Sequence, residues 1–157
     1  MWRFIATGII GGILGAVVFW LYQSAFQGAS IPAFIGNQVV SQGEYDISPP
    51  LVGWAVHLWV SISYAFILAL LMQILFPKPF ILNRVLGLVV ALILWWATTL
   101  IASPAIQVTI GILAGKGFPE KLVALNPASG HTLWNHLLFF VVIWVVDSVM
   151  ALAYKKN

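Results

Sequence analysis

The sequence predicts an all-α integral membrane protein, a bundle of four transmembrane helices that forms one membrane domain over residues 1–157. Of the 157 residues, 62% are hydrophobic and 7% are charged, whereas an ordinary soluble domain is about 25% charged. A soluble core could not enclose so much apolar surface without leaving large exposed patches. Four apolar stretches are also long enough to cross a bilayer. Lipid is therefore the expected solvent for most side chains.

The four spans are predicted at about residues 4–22, 51–76, 84–103 and 131–154. Each is close to or above the roughly 20 residues that cross a hydrocarbon layer about 30 Å thick. The first is interpreted as a retained span and not as a cleaved signal peptide. Its apolar run of about 19 residues exceeds a usual signal core, and no Ala-x-Ala site follows it.

The connections between the spans differ in length. Spans two and three are joined by residues 77–80 (Pro-Lys-Pro-Phe), so these two helices are expected to be antiparallel neighbours. Residues 23–50 and 104–130 are predicted to be two long outer loops. They still contain apolar stretches at 31–35 and 106–113. Such loops are expected to lie along the membrane interface or to dip into it.

Basic residues set the predicted orientation. Five lie on the side of the termini and two on the opposite side, namely Arg3, Lys78, Arg84, Lys155 and Lys156 against Lys116 and Lys121. The positive-inside rule then places both termini in the cytoplasm and both long loops outside, in what we expect to be a bacterial inner membrane. These residues sit at predicted helix ends, where they anchor a membrane protein. No nucleic-acid partner is expected.

The two halves of the chain show the same order of features, which indicates two repeated helical hairpins. The matching residues are Arg3, Gly8, Trp20, Pro32 and His57 in the first half, and Arg84, Gly87, Trp96, Pro104 and His136 in the second. The spacings differ by several residues, so chance similarity is the alternative. A true repeat would have its axis along the membrane normal and would place His57 and His136 at matching depth across a central seam.

The three histidines are the candidate metal and cofactor ligands, because the chain has no cysteine. His57 and His136 on facing helices could bind haem b, and the histidines including His131 could bind copper or zinc. The alternative is that they form hydrogen bonds inside the bundle. His131 and His136 project about 140° apart on a helix, so His131 is interpreted as interfacial. A semi-polar stripe accompanies His57 at helical spacing, formed by Trp54, Ser61 and Tyr64.

Asp147 is the one carboxylate inside a predicted span. It follows His136 by eleven residues, which places it about 16 Å deeper on nearly the same helix face. One interpretation is a step in the proton or ion path of a small transporter or channel. The other is a structural ion pair with Arg84.

The first span carries a glycine face, made of Gly8, Gly11, Gly12 and Gly15. This spacing predicts close helix packing of the small-xxx-small kind. Whether the face meets its own bundle, a second copy or another protein is left open by the sequence.

Two short segments carry a resemblance to known proteins. Residues 53–57 (Gly-Trp-Ala-Val-His) open the second span, and residues 135–137 (Asn-His-Leu) lie near the start of the fourth. With the glycine-rich first span, this order of parts resembles small uncharacterised four-span bacterial inner-membrane proteins. The resemblance implies the topology and no particular activity.

The function expected from these features is that of a non-enzymatic subunit or accessory protein of a larger membrane complex, of the energy-converting or respiratory kind. Its expected partners are the lipid bilayer and other membrane-protein subunits or further copies of itself. No nucleophile elbow, phosphate-binding glycine loop or His-Glu-x-x-His motif indicates an enzyme. The alternatives are a small b-type cytochrome with His57 and His136 as haem ligands, and a small transporter or channel that uses Asp147.

Overall fold

The computed structural model describes residues 2–28, 30–76, 81–126 and 129–154. Its helices are α1 (Trp2–Phe26, π-helical at Thr7–Gly11), α2 (Ile31–Gly43), α3 (Pro49–Leu75), α4 (Ile81–Leu113) and α5 (His131–Tyr154). All but α2 are long and apolar enough to cross a membrane, and the described residues contain no strand. The predicted all-α fold with four membrane-spanning helices is confirmed.

The third span is longer than predicted. The expected end at Ser103 is wrong, because α4 continues through Pro104 to Leu113. Proline removes one helical hydrogen bond, but helices in membrane bundles tolerate this where neighbouring helices pack around the site. Here Ile110 of the extension packs against Ile35 of α2 in a small buried cluster. The following connection is therefore residues 114–130.

The predicted outer loop at residues 23–50 is mostly helical, because α1 continues to Phe26 and α2 fills its centre. The start of α2 is capped by Ser30, whose Oγ accepts a hydrogen bond from the backbone N–H of Ala33 at 3.4 Å. Pro32 lies in the first turn, where its missing N–H costs nothing. The apolar stretch that predicted an interfacial loop instead packs α2 onto the bundle.

Helices α2 and α3 cross at very short distance. A Cβ atom on Gly53 of α3 would overlap the carbonyl oxygen of Pro32, and one on Gly36 of α2 would overlap that of Pro49. Backbone atoms cannot move aside as a flexible side chain can. Glycine is therefore required at both positions for α2 to lie on α3.

The glycine face of α1 meets its own bundle. A Cβ on Gly12 would lie 2.6 Å from Cα of Ile62 in α3, and one on Gly15 would lie 2.8 Å from the ring of Phe139 in α5. The face divides between the two neighbours, with Gly8 and Gly12 against α3 and Gly11 and Gly15 against α5. These contacts place α1 in the centre of the bundle, between α3 and α5.

Several predictions concern parts of the chain outside the described residues. They are the connection at 77–80 and the basic residues Lys78, Lys155 and Lys156. The course of the described helices still puts Trp2 and Tyr154 at one end of the bundle and α2 with the 114–126 segment at the other.

Candidate functional site: a cavity and an ion cluster

A cavity of about 420 Å³ lies between the helices in the half of the bundle away from the termini. Small-molecule sites occupy roughly 300–1,000 Å³. Its aromatic lining comes from Phe19, Tyr64, Phe139 and Phe140. Its polar lining comes from His57, Ser61, Thr98, Thr99, Ser103, Thr109, Asn126, Ser129, Thr132 and His136. The cavity thus combines an apolar body with many hydrogen-bonding groups.

The position of α4 explains why this space exists. Two indole N–H groups fasten α4 to α5: Trp95 Nε1 donates to the carbonyl of Leu133 at 3.0 Å, and Trp144 Nε1 donates to that of Arg84 at 2.8 Å. On the side of α4 that faces the cavity, small residues such as Ala102 and Ala105 leave room. His57 and its neighbours on α3 form the opposite wall of the cavity.

His57 lies on α3, 7% exposed. Its Nε2 is 3.2 Å from the carbonyl oxygen of Ala16 on α1. A carbonyl only accepts hydrogen bonds, so Nε2 carries the proton, and Nδ1 of the neutral ring is unprotonated. Nδ1 has no hydrogen-bond partner among the residues that the structure describes. It is therefore an acceptor, or a metal ligand, without a protein partner.

His136 on α5 shows the same arrangement with the opposite tautomer. Its Nδ1 donates to the carbonyl of Thr132, one turn earlier, at 3.0 Å. Nε2 is then the unprotonated nitrogen, and within the described chain it has no hydrogen-bond partner. Both histidines thus keep one lone pair for a ligand.

Phe19 of α1 connects the two histidines. Its ring centroid is 5.3 Å from that of His57 and 5.3 Å from that of His136. The structure therefore brings these two sequence-predicted residues to the same part of one cavity, from α3 on one side and α5 on the other. Ser61 and Tyr64 of the predicted stripe also line the cavity, whereas Trp54 packs against Trp20 with ring centroids 5.5 Å apart.

His131 lies apart from the other two histidines. Its Nδ1 is hydrogen-bonded to the hydroxyl of Tyr22 at 3.1 Å, and its ring stacks on Phe26 at an exposed position. Across residues 2–28, 30–76, 81–126 and 129–154, no three His, Asp or Glu side chains come close enough to hold a metal ion. The structure does not form the predicted copper or zinc site from His57, His131 and His136.

Sequence reasoning did not assign a pair of threonines to this cavity. Thr98 and Thr99 of α4 donate their hydroxyl protons to the carbonyls of Trp95 and Trp96, at 3.0 and 2.7 Å. Both residues line the cavity, and their hydroxyl oxygens, whose protons are already donated, can act there only as acceptors. The sequence signal that could have indicated a polar site here is the pair of adjacent threonines inside an otherwise apolar span.

Asp147 forms a buried ion cluster near the termini. Arg3 Nη2 donates to its Oδ2 at 2.7 Å and to its Oδ1 at 3.0 Å. Arg84 Nη1 donates to Oδ2 at 2.6 Å, and the hydroxyl of Thr7 donates to Oδ1 at 3.3 Å. Arg84 was the expected partner, whereas Arg3 and Thr7 were missed. The available signal was that Arg3 and Thr7 lie in the first turns of α1, at the same end of the bundle as Asp147 in the last turns of α5.

The cluster and the cavity are separate. Phe140 and Ile143 lie between His136 and Asp147 on α5, and both are buried, 1% and 0% exposed. Both carboxylate oxygens of Asp147 are already engaged by arginines, Oδ1 by Arg3 and Oδ2 by Arg3 and Arg84. This geometry does not favour an ion path from His136 to Asp147.

Comparison of the chain with known protein families, with curated proteins and with solved structures finds no match. The resemblance to small four-span inner-membrane proteins therefore stays an expectation.

Proposed function

We propose that the protein is a non-enzymatic, multi-pass membrane protein that binds a small, largely apolar ligand in the cavity between His57 and His136. One observation carries the proposal. Two histidines from different helices border the same cavity, and each has an unprotonated ring nitrogen without a partner in the described residues. These two nitrogens are hydrogen-bond acceptors on residues that line an aromatic cavity, which favours a bound molecule that carries hydrogen-bond donors.

The lining defines the chemical class of the ligand. Unprotonated imidazole nitrogens accept hydrogen bonds and cannot donate them, so the ligand should carry hydroxyl or N–H donors. The hydroxyl groups of Ser61 and Tyr64, which also line the cavity, can either donate or accept hydrogen bonds. The four aromatic rings of the lining favour a flat ring over a flexible chain. A phenol or hydroquinone with an apolar substituent meets all three conditions.

The test is a titration of the detergent-purified protein with decyl hydroquinone, with decyl quinone as the matched control that lacks donors. We expect hydroquinone to raise the thermal unfolding midpoint and quinone to raise it less. Leu in place of His57 or His136 removes one acceptor, worth about 1 kcal/mol or a roughly fivefold loss of affinity. Equal binding of the two probes, or unchanged binding by both variants, would contradict the proposal.

Haem b is the second candidate ligand, because the same two nitrogens could be its axial ligands. Their origin on facing helices supports it. The contacts of Phe19 with both rings favour the smaller aromatic molecule, since this side chain occupies space beside each imidazole. A visible absorption spectrum separates the two candidates. Haem would give a Soret band that His57→Leu or His136→Leu abolishes, whereas a hydroquinone gives none.

We also propose a bacterial inner-membrane location with cytoplasmic termini, which the count of basic residues supports. Membership of a larger complex of the energy-converting or respiratory kind stays a prediction. It is supported by exposed indoles at Trp59, Trp96 and Trp134, which either lipid headgroups or another subunit would cover.

A further inference from the structure

The ion cluster at the terminal end of the bundle has an unbalanced charge. Two guanidinium groups, Arg3 and Arg84, face the single carboxylate of Asp147. The chain has three other acidic side chains, Glu44, Asp46 and Glu120, and all three lie in connections at the opposite end of the bundle. One positive charge of the cluster therefore has no acidic side chain to neutralise it.

Arg84 also has unused hydrogen-bond donors. Its side chain is 9% exposed, and only Nη1 reaches Asp147. Nε and Nη2 are buried, and neither has a hydrogen-bond partner within the described residues. A buried charge is costly unless it is paired and its donors are satisfied. An additional anion with several acceptor oxygens would neutralise the surplus charge and would accept hydrogen bonds from the unpartnered donors of Arg84.

We propose that this cluster binds the phosphate group of an anionic lipid. Arg3 is the more accessible member, because its side chain is 20% exposed and that of Arg84 is 9% exposed. Both arginines are within four residues of a helix start, Trp2 for α1 and Ile81 for α4. Lipid phosphates lie at this level of a bilayer, and arginine binds phosphate through parallel N–H bonds. Inorganic phosphate offers the same chemistry from a second source.

The experiment compares wild type with Arg3→Gln in nanodiscs made from phosphatidylcholine and phosphatidylglycerol. Arg3→Gln removes the surplus charge but leaves Asp147 paired with Arg84, so the fold should persist. Lys116→Gln is the matched control, because it removes the same charge at the opposite end of the bundle, on an exposed side chain. The measurement is the ratio of the two lipids retained by the protein in native mass spectrometry.

We expect wild type and Lys116→Gln to retain phosphatidylglycerol in preference to phosphatidylcholine. In Arg3→Gln the ratio of retained phosphatidylglycerol to phosphatidylcholine should be about fivefold lower, the effect of one basic residue near a membrane surface. Arg3→Lys keeps the charge and should retain most of the preference, which separates binding from a folding defect. Equal preference in wild type and Arg3→Gln, or equal loss in Lys116→Gln, would overturn the proposal.

A second experiment with inorganic phosphate distinguishes a lipid phosphate from the free ion. Phosphatidylcholine nanodiscs receive sodium phosphate or sodium chloride at equal ionic strength, and the thermal unfolding midpoint is measured. No difference between the two salts supports a lipid phosphate. Stabilisation of wild type but not of Arg3→Gln by phosphate would overturn the lipid source and show a site for the free ion.

Discussion

Replacing Asp147 by asparagine is expected to destabilise the bundle by about 3–5 kcal/mol, the usual cost of removing one partner from a buried ion pair. The asparagine would leave Arg3 and Arg84 facing each other without a compensating charge, beside a carboxamide that accepts fewer hydrogen bonds. The measurement is the free energy of unfolding in mixed micelles of mild detergent and sodium dodecyl sulfate.

Two further variants control this experiment. Asp46→Asn removes a carboxylate from an exposed connection and should change stability by no more than about 0.5 kcal/mol. The double variant Arg3→Gln with Asp147→Asn leaves one guanidinium instead of two, so it should be more stable than Asp147→Asn alone. If Asp147→Asn were as stable as Asp46→Asn, the cluster would not be holding α1, α4 and α5 together.

Gly53→Ala is the second substitution for which we expect a large loss, about 2–3 kcal/mol or more. The added methyl group would overlap the carbonyl oxygen of Pro32, so α2 would have to move away from α3. That movement would also open the buried contact of Ile35 and Val39 with Ile110. The same unfolding experiment in mixed micelles measures the loss.

Gly87→Ala is the matched control, because it adds the same methyl group to another transmembrane helix. The atoms in its way are the sulfur and terminal methyl of Met72, which can rotate aside. Alanine also favours a helix by about 1 kcal/mol over glycine. Gly87→Ala should therefore be close to wild type in stability. A loss as large as that of Gly53→Ala would show that the α2–α3 crossing is not special.

The spans were predictable because each apolar stretch is close to or above the roughly 20 residues that cross a bilayer, whatever the neighbouring helices do. The end of α4 was not predictable from the sequence. Pro104 locally indicates that a helix ends, but packing around Ile110 keeps the chain helical beyond it. Helix α2 did carry a signal in its sequence, a Ser30 cap followed by Pro32, which mixed composition around it obscured. Tertiary contacts therefore determine where α4 ends, and the local sequence determines where α2 begins.

The two sites were predictable to different degrees. The internal similarity of the halves indicated that His57 and His136 face each other, and the cavity contains both. Their unprotonated nitrogens were not predictable, because each tautomer depends on a carbonyl that only the folded chain supplies, from Ala16 and Thr132. Arg3 was counted only as a topological signal, although it lies at the same end of the bundle as Asp147.

A pair of adjacent residues on α4 allows a direct test of whether the cavity between His57 and His136 holds a ligand. Ala102 lines the cavity, whereas Ile101 is 43% exposed and does not line it. Phenylalanine at residue 102 would place a ring in the cavity, where it competes with the ligand for space, and phenylalanine at residue 101 would add the same ring outside it.

Native mass spectrometry of the three proteins with decyl hydroquinone measures occupancy directly. We predict one bound hydroquinone on wild type and on Ile101→Phe, and none on Ala102→Phe. Equal occupancy of Ala102→Phe and wild type, or no occupancy of wild type, would contradict a ligand site in this cavity.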